Sequence, residues 1–287
     1  MKQNAQRRIF ASPLSGRWYP AERAALRRDV AALAPRPAPA PVSGVRALIV
    51  PHAGYAYSGK VALEAYARLD PDAYDRAVVI GPSHSVGLRD CVSVLDVTHI
   101  RTPLGDCAVD ADFAARVLAT PFAVIEPRAH VREHSDQIQI PLLQTVFDQR
   151  PLQVVTLVCG GFSDTAAAAF GGVLRGLLDS RTLLVVSTDF THYGPAFDYV
   201  PFRDDVSEGV RALDHRVFER IAAGDAAGYR KIMRETGATV CGEHPLAILI
   251  AVAGPRATVC EVAYDQSGRM TGDWENSVSY LSAWLTW

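Results

Sequence analysis

The sequence predicts an α/β fold, one domain with a central, largely parallel or mixed sheet flanked by helices, and three observations carry that expectation. Uncharged apolar runs recur at 47–50, 77–80, 154–158 and 183–186, each reading as a strand buried on both faces. Stretches of helical period separate several of them, and a strand-helix-strand rhythm forces parallel pairing through right-handed crossovers. Three runs also end alike, in polar turns that carry His52, His84 and the pair Asp189 and His192. Open α/β sheets place their chemistry beyond the carboxyl ends of the strands. Parallel neighbours would therefore bring these four residues to one sheet edge.

The chain of 287 residues, 49% of them hydrophobic, can fill the core of a single domain spanning 1–287. Residues 1–15 are expected to be poorly ordered, and 34–44 to be a Pro-rich connector inside the domain. Lys and Arg total 29 against 31 for Asp and Glu, so charge supplies no reason to expect a nucleic acid or a membrane surface as partner. The basic amino terminus lacks the apolar core of a secretory signal, and no apolar run reaches transmembrane length. A soluble, cytoplasmic protein is the expectation. Five widely spaced cysteines without a C-x-x-C pair argue against a disulfide framework or zinc ribbon.

In chain order, Ala21 to Leu33 reads as a helix entered through Pro20, with Leu26, Val30 and Leu33 on its apolar side. Trp18 and Tyr19 read either as wedges holding that helix on the core or as the rim of an entrance. After the first central strand a glycine-rich loop is expected over 53–59, with Tyr55 near whatever binds, and a helix over 60–69. A strand at 91–97 and a turn at Asp106 precede a helix that Asp110 caps, with Phe113, Val117 and Leu118 inward. Ser135 reads as the N-cap of the next helix, which leaves Glu133 and His134 in the loop before it. Helices are expected at 165–178, 204–223, 226–236 (stopped by Gly237) and 246–253, the last wholly apolar and so buried. Two strands, 257–264 and 278–284, close the chain. His99, His130 and His215 fit no constellation and read as surface residues.

Nitrogen and sulfur donors on separate loops at one sheet edge suit a mononuclear metal site with an open position. His52, His84 and Cys241 are the candidate ligands. Imidazole titrates near neutrality, so His192 is the candidate general acid or base, with Asp189 to orient it.

Six motifs in order, P-H-A-G-Y-x-Y-x-G from Pro51, G-P-S-H from Gly81, E-H-S from Glu133, S-T-D-F-x-H-x-G from Ser187, C-G-x-H-P from Cys241 and S-V-S-Y from Ser277, resemble the Memo family over residues 16–287. The resemblance implies a fold similar to class III extradiol dioxygenases, which are non-haem iron(II) enzymes. It matches His52, His84 and Cys241 to the family's metal positions and puts Asp189 and His192 in the same pocket. Tyr55, Glu133, His134 and His244 are assigned to the substrate or to the surroundings of the metal. Iron(II) or copper is the metal implied, with no organic cofactor.

Two departures stand out. Gln137 occupies a position that usually carries Glu, and Cys241 stands where the dioxygenases have a carboxylate ligand. A thiolate is softer and shifts preference toward copper(I) or a more electron-rich iron.

The reading is thus a metal-dependent, dioxygenase-like oxidoreductase acting on a small substrate, aromatic compounds among the candidates. A non-catalytic metal-binding adaptor, holding a short peptide or redox metal in the same pocket, is the alternative. A zinc hydrolase is a third, without a nucleophile elbow or H-E-x-x-H helix to support it.

Overall fold

In the computed structural model, which describes residues 7–287, four buried strands form the parallel centre of a nine-stranded sheet. Ala47–Val50 pairs with Thr182–Ser187, which pairs with Arg76–Pro82, which pairs with Gln153–Cys159. Their residues alternate between two cores, as a strand covered on both faces requires. Ile49, Val78, Ile80, Leu184 and Val186 pack toward helices Asp164–Leu177 and Glu243–Ala253. Leu48, Val50, Val79, Leu183 and Val185 pack toward Arg23–Leu33 and Tyr55–Tyr66.

Antiparallel strands finish the sheet on both sides. Ser277–Thr286 lies against Ala47–Val50 and carries Thr258–Gln266 beyond it, while Val92–Val94 lies against Gln153–Cys159. A second sheet of three strands joins Ile9–Ala11 to the hairpin His99–Thr102 and Gly105–Ala108. The expectation of disorder over 1–15 therefore fails at Ile9–Ala11; residues 1–6 lie outside the described residues. The strand expected at 91–97 ends at Val94, because Asp96 pairs with Arg8 and the chain turns into the hairpin.

Other boundaries shift for local reasons. The loop expected over 53–59 is shorter: the helix starts at Tyr55, whose N–H is taken by Trp18 O, and Ser58 Oγ donates back to Ala53 O. Ser135 is not an N-cap. Its Oγ donates to Pro82 O, and the helix begins only at Gln139. His130 is not a surface residue: it is fully buried, with Nε2 3.0 Å from Ser93 Oγ and Nδ1 3.4 Å from Asp136 Oδ2. The apolar helix extends back to Glu243, and Gly237 ends its predecessor with φ 62°. All five cysteines are free, and no helix among the described residues is long and apolar enough to cross a membrane.

Candidate metal centre

His52 follows Ala47–Val50, His84 follows Arg76–Pro82, and His134 lies in the turn that Ser135 ties to Pro82. Gly81 permits that tie, because a Cβ there would lie 2.5 Å from Ser135 Oγ. Parallel pairing brings the first two together as the sequence predicts, and the tie adds the third. One donor atom from each of His52, His84 and His134 lies within 4.8 Å of the others, so the three could hold a metal ion. His84 and His134 stack with ring centres 4.6 Å apart, and His52 stands edge-on to both, at 5.4 and 5.1 Å. Trp18 stacks on the other face of His134 at 4.2 Å. Trp18 thus borders the site, while Tyr19 is buried and wedges the helix.

The groups behind the rings decide which nitrogen each presents. Glu133, fully buried, sets Oε1 2.8 Å from His84 Nδ1 and 3.4 Å from His134 Nδ1, and Oε2 accepts the His84 N–H at 2.7 Å. A carboxylate can only accept, so His84 Nδ1 carries the hydrogen of that bond, while His134 is tied to Oε1 through its backbone N–H at 2.9 Å. Ser187 Oγ lies 3.3 Å from His52 Nδ1 and is itself held by Gln139 Nε2 at 2.8 Å.

Burial pushes the Glu133 carboxyl up, but His84 and the N–H groups around it more than offset this and hold it at about 2. Burial and the neighbouring imidazoles lower His134 to about 4 and His52 well below its ordinary value, so both are neutral at pH 7. Neutral imidazole is the form that binds metal.

Cys241 meets the cluster at His52, with Sγ 3.1 Å from Nε2, and its sulfur accepts the Asp189 N–H at 3.1 Å. Gly242 anchors the turn by donating to Thr188 Oγ1. Burial, then Asp189, pushes the thiol up, so a bound cation would have to displace its proton.

Asp189 Oδ1 accepts the N–H groups of His52 and Ala53, which fixes the turn carrying His52. Burial raises its carboxyl to about 6 against the pull of His192. His192 Nδ1 lies 3.0 Å from Phe190 O and 3.1 Å from Thr239 O. Carbonyls cannot donate, so Nδ1 holds a hydrogen.

Tyr55 and His244 lie apart from the histidine cluster. The Tyr55 hydroxyl donates to Ile138 O inside the core. His244 turns its Nδ1 to Arg230, at 3.4 and 3.5 Å, within an ionic cluster with Glu243 and Asp164. Sequence reasoning missed Ser187, Gln139 and Thr239 as supports. Ser187 lies inside a quoted motif and could have been found there, whereas Gln139 and Thr239 carry no local signal.

Gln137 Nε2 donates to His130 O at 2.6 Å and Glu133 O at 3.0 Å, closing the turn that carries Glu133. An ionised Glu could make neither bond. The exchange of Glu for Gln thus has a structural use in this chain.

A MEMO1 family protein of Methanothermobacter thermautotrophicus is 33% identical over 280 residues, covering 93% of this chain and 96% of that protein. A memo-1 homolog of Caenorhabditis elegans is 29% identical, covering 94% and 81%, and human MEMO1 is 28% identical, covering 84% and 85%. A crystal structure of an uncharacterized protein from Escherichia coli K12 shares the fold, with TM-score 0.51 and 12% identity over 85% of this chain and 100% of that one. A family profile described as Memo-like protein matches residues 11–284, so the chain belongs to the Memo family.

Proposed function

We propose that the protein is a metal-dependent oxidoreductase with a mononuclear iron or copper site at His52 and His84, acting on a small substrate. The observation that carries this reading is the convergence of His52, His84 and His134 within 4.8 Å, with Glu133 behind two of them. A site built from imidazoles, two of them held from behind at Nδ1 by Ser187 and Glu133, fits a borderline transition metal, and Cys241 adds the third donor that the family likeness implies. When bound, the metal would supply redox chemistry or polarisation of a coordinated substrate.

The chain's own residues do the rest. Glu133 holds the His84 ring through Nδ1 and the His134 turn through its backbone N–H. His192 is the proton acceptor: its Nδ1–H is committed to two carbonyls, which leaves Nε2 free to take a proton from a substrate and return it. Asp189 holds the His52 turn and adds negative charge beside His192.

Oxygen uptake by the metal-loaded protein, measured across a panel of small aromatic and aliphatic substrates, tests the reading. Consumption that needs both the metal and a substrate supports it. Metal binding without consumption across the panel would favour the non-catalytic reading.

A further inference from the structure

Asp214 lies on the helix Val206–Ala222, outside the histidine cluster, and it is fully buried. Its Oδ1 accepts both the Thr191 N–H, at 3.2 Å, and the Thr191 hydroxyl, at 2.6 Å. Oδ2 accepts the Tyr264 hydroxyl at 2.7 Å. Gln266 Nε2 donates to that same hydroxyl oxygen, so the Tyr264 hydrogen is committed to the carboxylate. These partners all donate, which is the setting of an ionised carboxylate, while burial pulls the group up from its ordinary value.

The N–H that Asp214 takes belongs to the peptide joining Phe190 to Thr191, and the carbonyl of that peptide accepts His192 Nδ1 at 3.0 Å. In a trans peptide the C=O and N–H point in opposite directions, so a carboxylate gripping one end aims the other. Ser279 steadies the same segment, taking the Phe190 N–H at 2.9 Å and donating its own N–H to Thr191 O at 3.0 Å. We propose that Asp214 is a positioning residue for His192, acting through the Phe190–Thr191 peptide. This rests on the reading of His192 as the proton acceptor. Hydrogen bonds in a chain polarise one another, so negative charge at the N–H strengthens Phe190 O as the acceptor of Nδ1–H. When Nε2 takes a proton from a substrate the ring becomes a cation, the hydrogen on Nδ1 stays in place, and Asp214 stays ionised. Thr239 O is a second acceptor at 3.1 Å, so loss of Asp214 loosens the ring rather than freeing it.

Nitrogen–proton correlation spectra of the imidazoles, taken on the metal-free protein where His192 is neutral and assigned against His192→Ala, test this directly. The wild type is expected to show His192 as the Nδ1–H tautomer, with that proton shifted downfield by its acceptor. Asp214→Asn, which keeps an oxygen for Thr191 and loses the charge, should move the proton upfield while the tautomer holds, and Asp214→Ala should mix the two tautomers. If the Asn amide costs the fold by facing the Tyr264 hydroxyl, Asp214→Asn combined with Tyr264→Phe removes that clash and asks the same question. With a substrate that supports oxygen uptake, Asp214→Asn should lose about tenfold in kcat with KM within about twofold, and nothing further in the His192→Ala background. A Nδ1–H signal unmoved in folded Asp214→Asn would overturn the proposal, and so would a loss of turnover that persists without His192, because Asp214 would then act through the fold at large. Absence of oxygen uptake across the substrate panel would instead overturn the reading of His192 as proton acceptor.

Discussion

Glu133 grips His84 at two points: Oε1 lies 2.8 Å from Nδ1 and Oε2 accepts the backbone N–H at 2.7 Å. One carboxylate thereby sets where the histidine stands and which nitrogen it presents. Partners of this kind behind metal ligands are worth about 10- to 100-fold in affinity. Glu133→Gln is therefore expected to weaken metal binding by that order in competition titrations while His52, His84 and His134 all remain. Unchanged affinity would mean that the rings are held by packing alone.

Gln137 is the reverse case, an amide that must donate. Gln137→Glu would set a buried carboxylate against the carbonyls of His130 and Glu133. The expected loss is about 2–4 kcal/mol, read from the urea midpoint, because two buried acceptors lose their donor and a charge is buried without a partner. A neutral outcome would show that this turn can re-form around an acid.

Asp110 gives a pH dependence away from the site. It caps the helix Ala111–Leu118 through the Phe113 N–H and pairs with Arg76 at 2.5 Å. Burial pushes its carboxyl up, but the cap and Arg76 more than offset this and hold it below its ordinary value of 3.8. A lowered carboxyl stabilises the fold above its unfolded value and loses that contribution as pH falls through its folded value. Asp110→Asn keeps the cap and removes the charge. It is expected to cost about 1–2 kcal/mol at pH 7, a gap to wild type that narrows below about pH 4 in urea unfolding.

His192 separates metal binding from proton transfer. His192→Ala is expected to keep the metal stoichiometry of the wild type and to lose about 10²-fold or more in turnover, the usual contribution of a positioned acid or base. Full activity in that variant would remove His192 from the mechanism.

The parallel centre of the sheet was legible because uncharged apolar runs have few alternatives to a doubly covered strand. Those runs also placed His52 and His84 at one edge, since parallel register follows from the crossovers. The place of His134 beside them was not legible. It depends on Ser135 reaching Pro82 and on Gly81 leaving room for it, a contact across more than 50 residues of chain that no local pattern encodes. His130 was misread for a similar reason, because its partners Ser93 and Asp136 meet only after folding. His244 stands three residues after Cys241 in sequence, yet the helix that begins at Glu243 turns it to Arg230.

The central claim is that His52 and His84 anchor a metal, and the most direct measurement is the metal content of protein purified without oxygen and then offered iron(II) or copper(I). The account predicts about one ion per chain in the wild type and its loss in folded His52→Ala and His84→Ala. Folded wild-type protein that takes up neither ion, or variants that bind as well as the wild type, would contradict it.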